Sequence, residues 1–291
     1  MKDLGPAESQ WLFTDADLDR TPSRLDGITS EDELRRRKKA IEYVRSIGLR
    51  AGLGGREANS PSARGVMAPA AMLVHRFYMR RSLKDFPEEL VAPAMLFLAS
   101  KIAEDSLKLR YIVNACLSKW EPGALPWEPD PNNKDTYPPQ SLEYKRWERE
   151  ILIVEELALE ALCFDMAIIN HWTIFRRAIL NLNGEAVPKW MKVNGLELGW
   201  GLFNVIAQTP LVVTTHPHIL AFGVFVILLA AMDDMSISSA IKSNSEASSA
   251  FTVDLNDETT VEQIKHFCAR VRAYSSMDLI DQGLVDLIRD E

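Results

Sequence analysis

The sequence predicts an all-α protein made of two tandem five-helix bundles with flanking N- and C-terminal segments. Three observations favour this fold class. Apolar residues recur at steps of three and four along most of the chain, which is the period of one face of a helix. Segments with the period-two alternation of a half-buried strand are scarce, so no extensive sheet is expected. Helix start signals and proline-rich breaks divide the chain into segments of helical length.

The composition limits the classes of function. The 291 residues suffice for one large domain or two of ordinary size. A hydrophobic content of 47% and a charged content of 25% are typical of a soluble globular protein. The formal net charge of -8 argues against broad nucleic-acid binding, because such binding needs many Lys and Arg side chains that displace phosphate counterions. The three cysteines are far apart and in apolar surroundings, so we expect buried, free thiols.

The sequence has the pattern of neither a signal peptide nor a membrane span. The first ten residues lack a basic stretch followed by an apolar core, so we expect no signal peptide and an intracellular protein. The segment from Leu198 to Met232 lacks Asp, Glu, Lys and Arg, but only Ile219 to Met232 is continuously apolar. That run is shorter than the ~20 residues of a membrane span, so we interpret it as a helix buried on all sides.

Five helices are predicted in the first half. The first starts at Ser30 to Glu33, a capping box in which the serine hydroxyl accepts from the Glu33 amide. Pro61 and Pro87 mark the next two starts, because proline is tolerated in the first helical turn. The third helix is so apolar that we expect it to be central. The first helix is predicted over about 31–51, and the second and third begin at 61 and 87. The fourth is predicted over 107–120. A proline-rich loop follows over 121–140, and the fifth helix begins near 141.

The second half repeats this plan with weaker signals. Ala92-Pro93-Ala94 and His216-Pro217-His218 each precede a buried helix, which suggests an internal duplication. The predicted division is an N-terminal extension over 1–30, a first bundle over 31–166, and a second bundle with a terminal helix over 167–291. The helices of the second half are predicted at about 170–182, 188–208, 217–232, 236–243, 260–274 and 277–289.

No group of residues has the pattern of an active site. The glycines from Gly52 to Gly55 are not followed by the Lys-Ser or Lys-Thr of a phosphate loop. The histidines lack partner pairs at zinc-ligand spacing. The acidic pairs Glu104-Asp105 and Asp233-Asp234 end helices and have no accompanying nucleophile or base. We therefore expect a protein that is not an enzyme, with no catalytic residue, cofactor or metal site.

Several polar residues have ordinary structural interpretations. The basic run from Arg35 to Lys39 is predicted to be a solvated helix face. His75 lies on an apolar helical face, and we expect it to be a hydrogen-bonded core residue. His216 and His218 are expected at the start of a helix and in the core.

Several strings of residues resemble the cyclin box. They are His75-Arg76-Phe77-Tyr78, Val91-Ala92-Pro93-Ala94, Phe97-Leu98-Ala99-Ser100-Lys101 with Glu104, Val154-Glu155-Glu156-Leu157 and Leu162-Cys163-Phe164-Asp165. Ahead of the first box, Trp11 to Thr14 and Thr21 to Arg24 resemble the cyclin T and cyclin K branch. The chain departs from cell-cycle cyclins in having Lys39 to Tyr43 where they carry Met-Arg-Ala-Ile-Leu, which argues against substrate docking through that groove. Its second box matches poorly.

The resemblance implies a regulatory subunit that binds and activates a cyclin-dependent kinase of the transcription class. Such cyclins act in the nucleus, on kinases that phosphorylate the C-terminal repeats of RNA polymerase II and promote transcript elongation. In cyclins, the pair matching Lys101 and Glu155 hydrogen-bonds backbone groups of the kinase near its C-helix. Phe97 and Glu104 would lie on the same surface. Elongation regulators are a further implied class of partner.

Two alternatives remain open. The first is a cyclin-box transcription factor or adaptor that binds DNA or protein without activating a kinase; a basic face would be expected there, and the charge of -8 counts against it. The second is a C-type or L-type cyclin, although the Arg-Ser-rich extension usual in the L type does not occur in the sequence. The sequence does not name the kinase, the ligand of the 121–140 loop, or a longer tail in the natural protein.

Overall fold

A computed structural model of the chain describes residues 9–53, 61–105, 107–130, 132–133, 136–182 and 188–276. Over these residues the chain is helical without strands, apart from an isolated bridge between Asp130 and Asn133. The all-α prediction is confirmed. The described residues divide into two compact units: residues 20–166 form the first unit, and residues 9–19 with 167–276 form the second unit.

The first unit contains five helices longer than one turn among its described residues. Their positions agree with the predicted ones, and Ser141 caps the last of them by accepting from the Tyr144 amide. They are α1 (Ser30–Gly48), α2 (Pro61–Tyr78), α3 (Glu88–Ile102), α4 (Leu109–Trp120) and α5 (Leu142–Ala161). The central position predicted for the third helix is confirmed, because α3 packs against α1, α2 and α5, and each residue from Val91 to Ser100 is buried.

The start of α1 differs from the prediction. Thr29 is the N-cap, and its hydroxyl accepts a hydrogen bond from the Asp32 amide at 3.2 Å. The capping box predicted at Ser30 was therefore wrong by one residue. Glu33 instead directs its carboxylate into the interior, where it accepts from the Thr21 hydroxyl at 2.7 Å.

The prediction of a solvated basic face on α1 was wrong for Arg37. Its side chain is 1% exposed, and its Nη2 lies 2.7 Å from Oε1 of Glu33. The same guanidinium donates to the carbonyl oxygens of His75 and Tyr78 in the last turn of α2. A buried charge is tolerated when it is paired and hydrogen-bonded, so this contact ties the N-terminal half of α1 to the end of α2.

The second unit is built around its most apolar helix. Thirteen residues of α8 are buried, as predicted for a helix covered on all sides, and it packs against the other four helices. The helices longer than one turn among its described residues are α6 (His171–Asn181), α7 (Lys189–Ile206), α8 (Pro217–Met232), α9 (Ile237–Ser243) and α10 (Glu258–Ser276). The terminal helix predicted over 277–289 lies outside the described residues.

The start of α8 explains its two histidines. His216 is the N-cap, and its Nδ1 accepts from the His218 amide at 3.3 Å. Nδ1 of His218 lies 2.7 Å from the carbonyl oxygen of Phe251. Both histidines therefore lie at the helix start, as predicted, but the expected core position was wrong, because each is only half-buried.

No single helix among the described residues has the length and hydropathy of a membrane span; α8 and α9 reach that threshold only as a pair bent by 111°.

The described N-terminal residues are divided between the two units. Trp11 is buried in the second unit, where the amide of Phe13 donates to the carbonyl oxygen of Val213 at 2.8 Å. Within the first unit, the Leu83 amide donates to the Ser23 hydroxyl at 3.0 Å. Residues 9–19 are thus part of the second unit, and the residues that follow are part of the first.

The three cysteines are free, but they are not all buried. Burial raises the pKa of the thiols of Cys116 and Cys268. Cys163 is exposed, so the expectation of burial was wrong for that residue. It follows the end of α5 in the left-handed backbone region, with φ of 53°.

Candidate partner-binding site

Lys101 and Glu155 lie side by side on the surface of the first unit. Lys101 is in the last turn of α3 and Glu155 is on α5, and the packing of these two helices brings Nζ to 2.7 Å from Oε1. The Lys101 side chain is 46% exposed, whereas that of Glu155 is 9% exposed. The carboxylate is therefore mostly covered by protein, and the ammonium is presented to solvent beside it.

Phe97 fixes the position of the ammonium from a second side. It precedes Lys101 by one helical turn, and Nζ of Lys101 lies 4.0 Å from the centroid of its ring. An ammonium over an aromatic face is attracted by the ring quadrupole. Because an ammonium has three N–H donors, the contacts with Glu155 and Phe97 leave donor capacity for an acceptor from outside.

Glu104 lies just beyond α3 and has an unusual backbone. Its φ is 54°. The Glu104 amide donates to the carbonyl oxygen of Lys101, and the Asp105 amide donates to the carbonyl oxygen of Ser100, each at 3.1 Å. This Schellman ending usually places glycine at the left-handed position. The Glu104 side chain is exposed and makes no hydrogen bond or ion pair with the rest of the described chain. Asp234 has the same place after α8, with φ of 51°.

Exposed apolar side chains on and after α5 were missed by the sequence reasoning. Leu152 is 43% exposed, Ile153 is 47% exposed and Phe164, three residues past the helix, is 69% exposed. A signal for the first two was present, because they fall between the positions of the buried stripe that contains Ile151 and Val154. Nothing in the local pattern indicated that Phe164 would be turned outward after Cys163.

The site thus combines one fixed cation, the aromatic ring that it contacts and an uncommitted carboxylate. The structure brings Phe97, Lys101 and Glu155 into contact, and Glu104 follows on the same helix end. Charged donors held in place beside apolar surface are typical of the centre of a protein interface. Among the described residues, no three His, Cys, Asp or Glu side chains are grouped so that they would hold a metal ion.

Comparison with known proteins finds that the chain is similar to cyclins. No protein-family model matches the chain. The chain is 36% identical to cyclin Pch1 of Schizosaccharomyces pombe over 160 residues, which are 55% of this chain and 42% of that protein. It is 31% identical to cyclin-T2 of Mus musculus over 166 residues, which are 56% of this chain and 20% of that protein. It is 24% identical to cyclin-K of Homo sapiens over 217 residues, which are 74% of this chain and 32% of that protein. The similarities support the transcriptional cyclin family. The chain resembles cyclins of the T and K types, and it spans less than half the length of each of these relatives.

Solved structures agree with the all-α fold of the chain. A chain of the yeast TFIIK (Kin28/Ccl1/Tfb3) complex matches with a TM-score of 0.58 and 15% identity, covering 92% of this chain and 98% of that one. A chain of the CAK complex of Chaetomium thermophilum bound to ATP-gamma-S matches with a TM-score of 0.50 and 12% identity, covering 97% and 86%. At these identities the likeness shows the fold alone.

Proposed function

We propose that this cyclin binds and activates a cyclin-dependent kinase of the transcription class, which phosphorylates the C-terminal repeats of RNA polymerase II and promotes elongation in the nucleus. The observation that carries the proposal is the contact of Lys101 with Glu155, which by resemblance match the pair that binds the kinase backbone in cyclins. The names of the relatives, cyclin-T2 and cyclin-K, support the transcription branch. The two structural neighbours belong to the TFIIK and CAK complexes, the latter bound to an ATP analogue, which supports a kinase as the partner.

The geometry suits binding to the backbone of another protein. Lys101 would donate to a carbonyl oxygen of the kinase, and the Glu155 carboxylate would accept from an amide while still holding the ammonium. Charge-assisted hydrogen bonds of this kind are strong and set the register of an interface. Leu152, which precedes Glu155 by three residues on α5 and is 43% exposed, would supply apolar area beside them.

Activation would follow from this docking without any chemistry by the cyclin. A kinase is active when its Lys-Glu ion pair and its activation loop are in place, and both depend on the position of the C-helix. A cyclin that binds the active arrangement more tightly than the inactive one shifts the kinase population toward activity. We propose that the cyclin is a non-catalytic regulatory subunit, with residues 31–166 as its first cyclin box and residues 167–291 as its second cyclin box and a C-terminal helix.

The double substitution Lys101→Ala with Glu155→Ala tests the site. We expect the protein to keep its helical circular dichroism, to lose at least about tenfold in kinase affinity, and to activate the kinase poorly in an assay on a polymerase-repeat peptide. The matched control is Glu262→Ala with Lys265→Ala, which removes an exposed pair on α10 and should leave both readouts unchanged. Unchanged kinase binding in the first variant would refute the site.

A second measurement separates the kinase proposal from the adaptor alternative. The intact cyclin is recovered from cell extracts and its partners are identified by mass spectrometry. Recovery of a kinase that phosphorylates polymerase repeats supports the proposal, whereas recovery of transcription factors without any kinase supports an adaptor. Imaging of the tagged protein tests the nuclear localisation.

A further inference from the structure

A second surface of the first unit combines aromatic rings from three helices. The ring of Trp120, at the end of α4, stacks on that of Trp147 of α5 with centroids 5.0 Å apart, and meets Tyr43 of α1 edge-on at 5.1 Å. Trp147 is buried, but Tyr43 and Trp120 are only half-buried. We call these three residues the aromatic shelf. Trp147 precedes Glu155 by about 12 Å of helix rise, so the shelf is distinct from the candidate site.

Lysines border the aromatic shelf. The Nζ atoms of Lys39 and Lys119 lie 5.5 and 4.9 Å from the centroid of the Tyr43 ring. Lys39 is paired with Glu88 at 3.0 Å, but Glu88 also holds Arg36. The single negative charge of Glu88 is thus shared between Arg36 and Lys39.

Lys119 has no counter-ion among the described residues. Its ammonium contacts the rings of Tyr43 and Trp120, and no carboxylate oxygen of the described residues lies within 4.0 Å of it. On the other side of the shelf, Arg146 is paired with Glu121. The shelf therefore has excess positive charge, in a chain whose formal net charge is -8.

Trp120 offers a second donor beside Lys119. The indole N–H groups of Trp127, Trp147 and Trp190 donate to Pro138, Glu121 and Asp233 respectively. The indole N–H of Trp120 has no acceptor among the described residues. Two neighbouring residues thus present one charged donor and one neutral donor, both uncommitted, at the edge of the rings.

We propose that the aromatic shelf binds an extended acidic peptide of a partner protein that contains proline. Proline-rich segments dock on aromatic rings in the polyproline conformation, where a tryptophan N–H donates to a peptide carbonyl. The Lys119 ammonium would bind a carboxylate of the same peptide. A basic peptide is excluded, because two ammonium groups already lie over the Tyr43 ring. The proposal does not rest on kinase activation.

The test is a titration of the intact chain with a labelled peptide of five Pro-Glu repeats. A peptide of five Pro-Lys repeats tests whether the negative charge is needed. A peptide of five Gly-Glu repeats tests whether proline is needed. We expect the Pro-Glu peptide to bind at least about fivefold more tightly than either, and to shift the indole ¹⁵N–H resonance of Trp120, which is assigned with Trp120→Phe.

Two substitutions separate the two donors. Lys119→Gln removes the charge and Trp120→Phe removes the indole N–H, and we expect each to weaken binding at least about fivefold with unchanged circular dichroism. Lys145→Gln, at an exposed position of α5, is the control and should bind as the unaltered chain does. Lys119→Glu should abolish binding even if Trp120→Phe fails to fold.

Three outcomes would overturn the proposal. One is equal binding of the Pro-Lys peptide, and another is unchanged binding in Lys119→Gln. The third is a concentration-dependent dimer, seen by sedimentation, that disappears in Lys119→Glu, because the shelf would then be a contact between copies of this chain.

Discussion

Glu33 and Arg37 form an ion pair, 2.7 Å between Oε1 and Nη2, whose side chains are 5% and 1% exposed. Glu31 and Arg35 have the same spacing on the same helix, but they are 85% and 62% exposed. The two pairs therefore differ in burial while their position along α1 is almost the same.

Glu33→Ala is expected to lower the free energy of unfolding of the first unit by about 3–5 kcal/mol, because it leaves the Arg37 guanidinium buried without its counter-ion. Glu31→Ala, the control, is expected to cost less than about 1 kcal/mol. Urea unfolding followed by circular dichroism measures both. Similar losses in the two variants would show that burial of the pair has little effect.

Phe97→Leu is expected to weaken kinase binding about two- to fivefold, because it keeps apolar volume but removes the ring that holds the Lys101 ammonium. The effect should disappear in a Lys101→Met background, where no ammonium is present. A double-mutant cycle of kinase affinities measures this coupling. Equal losses in both backgrounds would mean that Phe97 only packs.

Glu104→Gly is expected to stabilise the first unit by about 1 kcal/mol, because glycine adopts the positive φ of this position without strain. If the Glu104 carboxylate contacts the kinase, the same change lowers kinase affinity. Thermal unfolding and affinity are measured on one preparation. A less stable variant would contradict the backbone argument, and a more stable variant with unchanged affinity would remove Glu104 from the site.

Gly223→Ala is expected to destabilise the second unit by about 1–3 kcal/mol through overpacking. A Cβ at this position of α8 would lie 2.5 Å from Cε1 of the Phe267 ring and still closer to Cδ1. Gly201→Ala on α7 is the control, since its Cβ would meet no atom within 4 Å and alanine favours a helix by about 1 kcal/mol. Melting temperatures should move in opposite directions.

Glu88 is expected to make the first unit less stable in acid. Burial pushes the pKa of its carboxyl up, but hydrogen bonds from Arg36, from its own backbone amide and from Lys39 outweigh burial and hold the pKa below the usual 4.5. Because the folded-state pKa is depressed, the stabilisation is present above the unfolded value and is lost as the pH falls through the folded one.

Glu88→Gln should therefore be less stable than the unaltered chain near neutral pH, and the difference should shrink below about pH 4.5. Denaturant unfolding across this pH range measures the difference. Glu89→Gln is the control, because Glu89 forms no ion pair among the described residues. A difference that stays constant into acid would show that the loss on Glu88→Gln is one of packing.

Much of the helical order followed from the sequence, because prolines and apolar spacing mark both the ends and the faces of helices. The burial of α8 was predictable for the same reason, since it lacks a polar face. The burial of Arg37 was not predicted, because a run of basic residues looks solvated when judged by composition. Its spacing of four residues from both Glu33 and the buried Ile41 was the overlooked signal.

The candidate site could not be predicted from sequence periodicity. Lys101 and Glu155 are 54 residues apart, and no periodicity connects positions on two helices separated by a third helix and a long loop. Their pairing was expected only from the resemblance to cyclins. Phe164 escaped notice because its outward direction depends on two successive left-handed residues, Cys163 and Phe164, which side-chain type alone does not reveal.

The attachment of Trp11 and Phe13 to the second unit has a consequence for synthesis in the cell. Phe13 leaves the ribosome about 200 residues before Val213, its hydrogen-bond partner, which at ordinary translation rates is a wait of roughly 10–40 s. In the last part of that interval, after residue 166 has been made, the first unit has all its residues while the Trp11 ring has no pocket to enter. A nascent chain stalled in this interval should thus expose an apolar side chain at its amino end, where a chaperone can bind it.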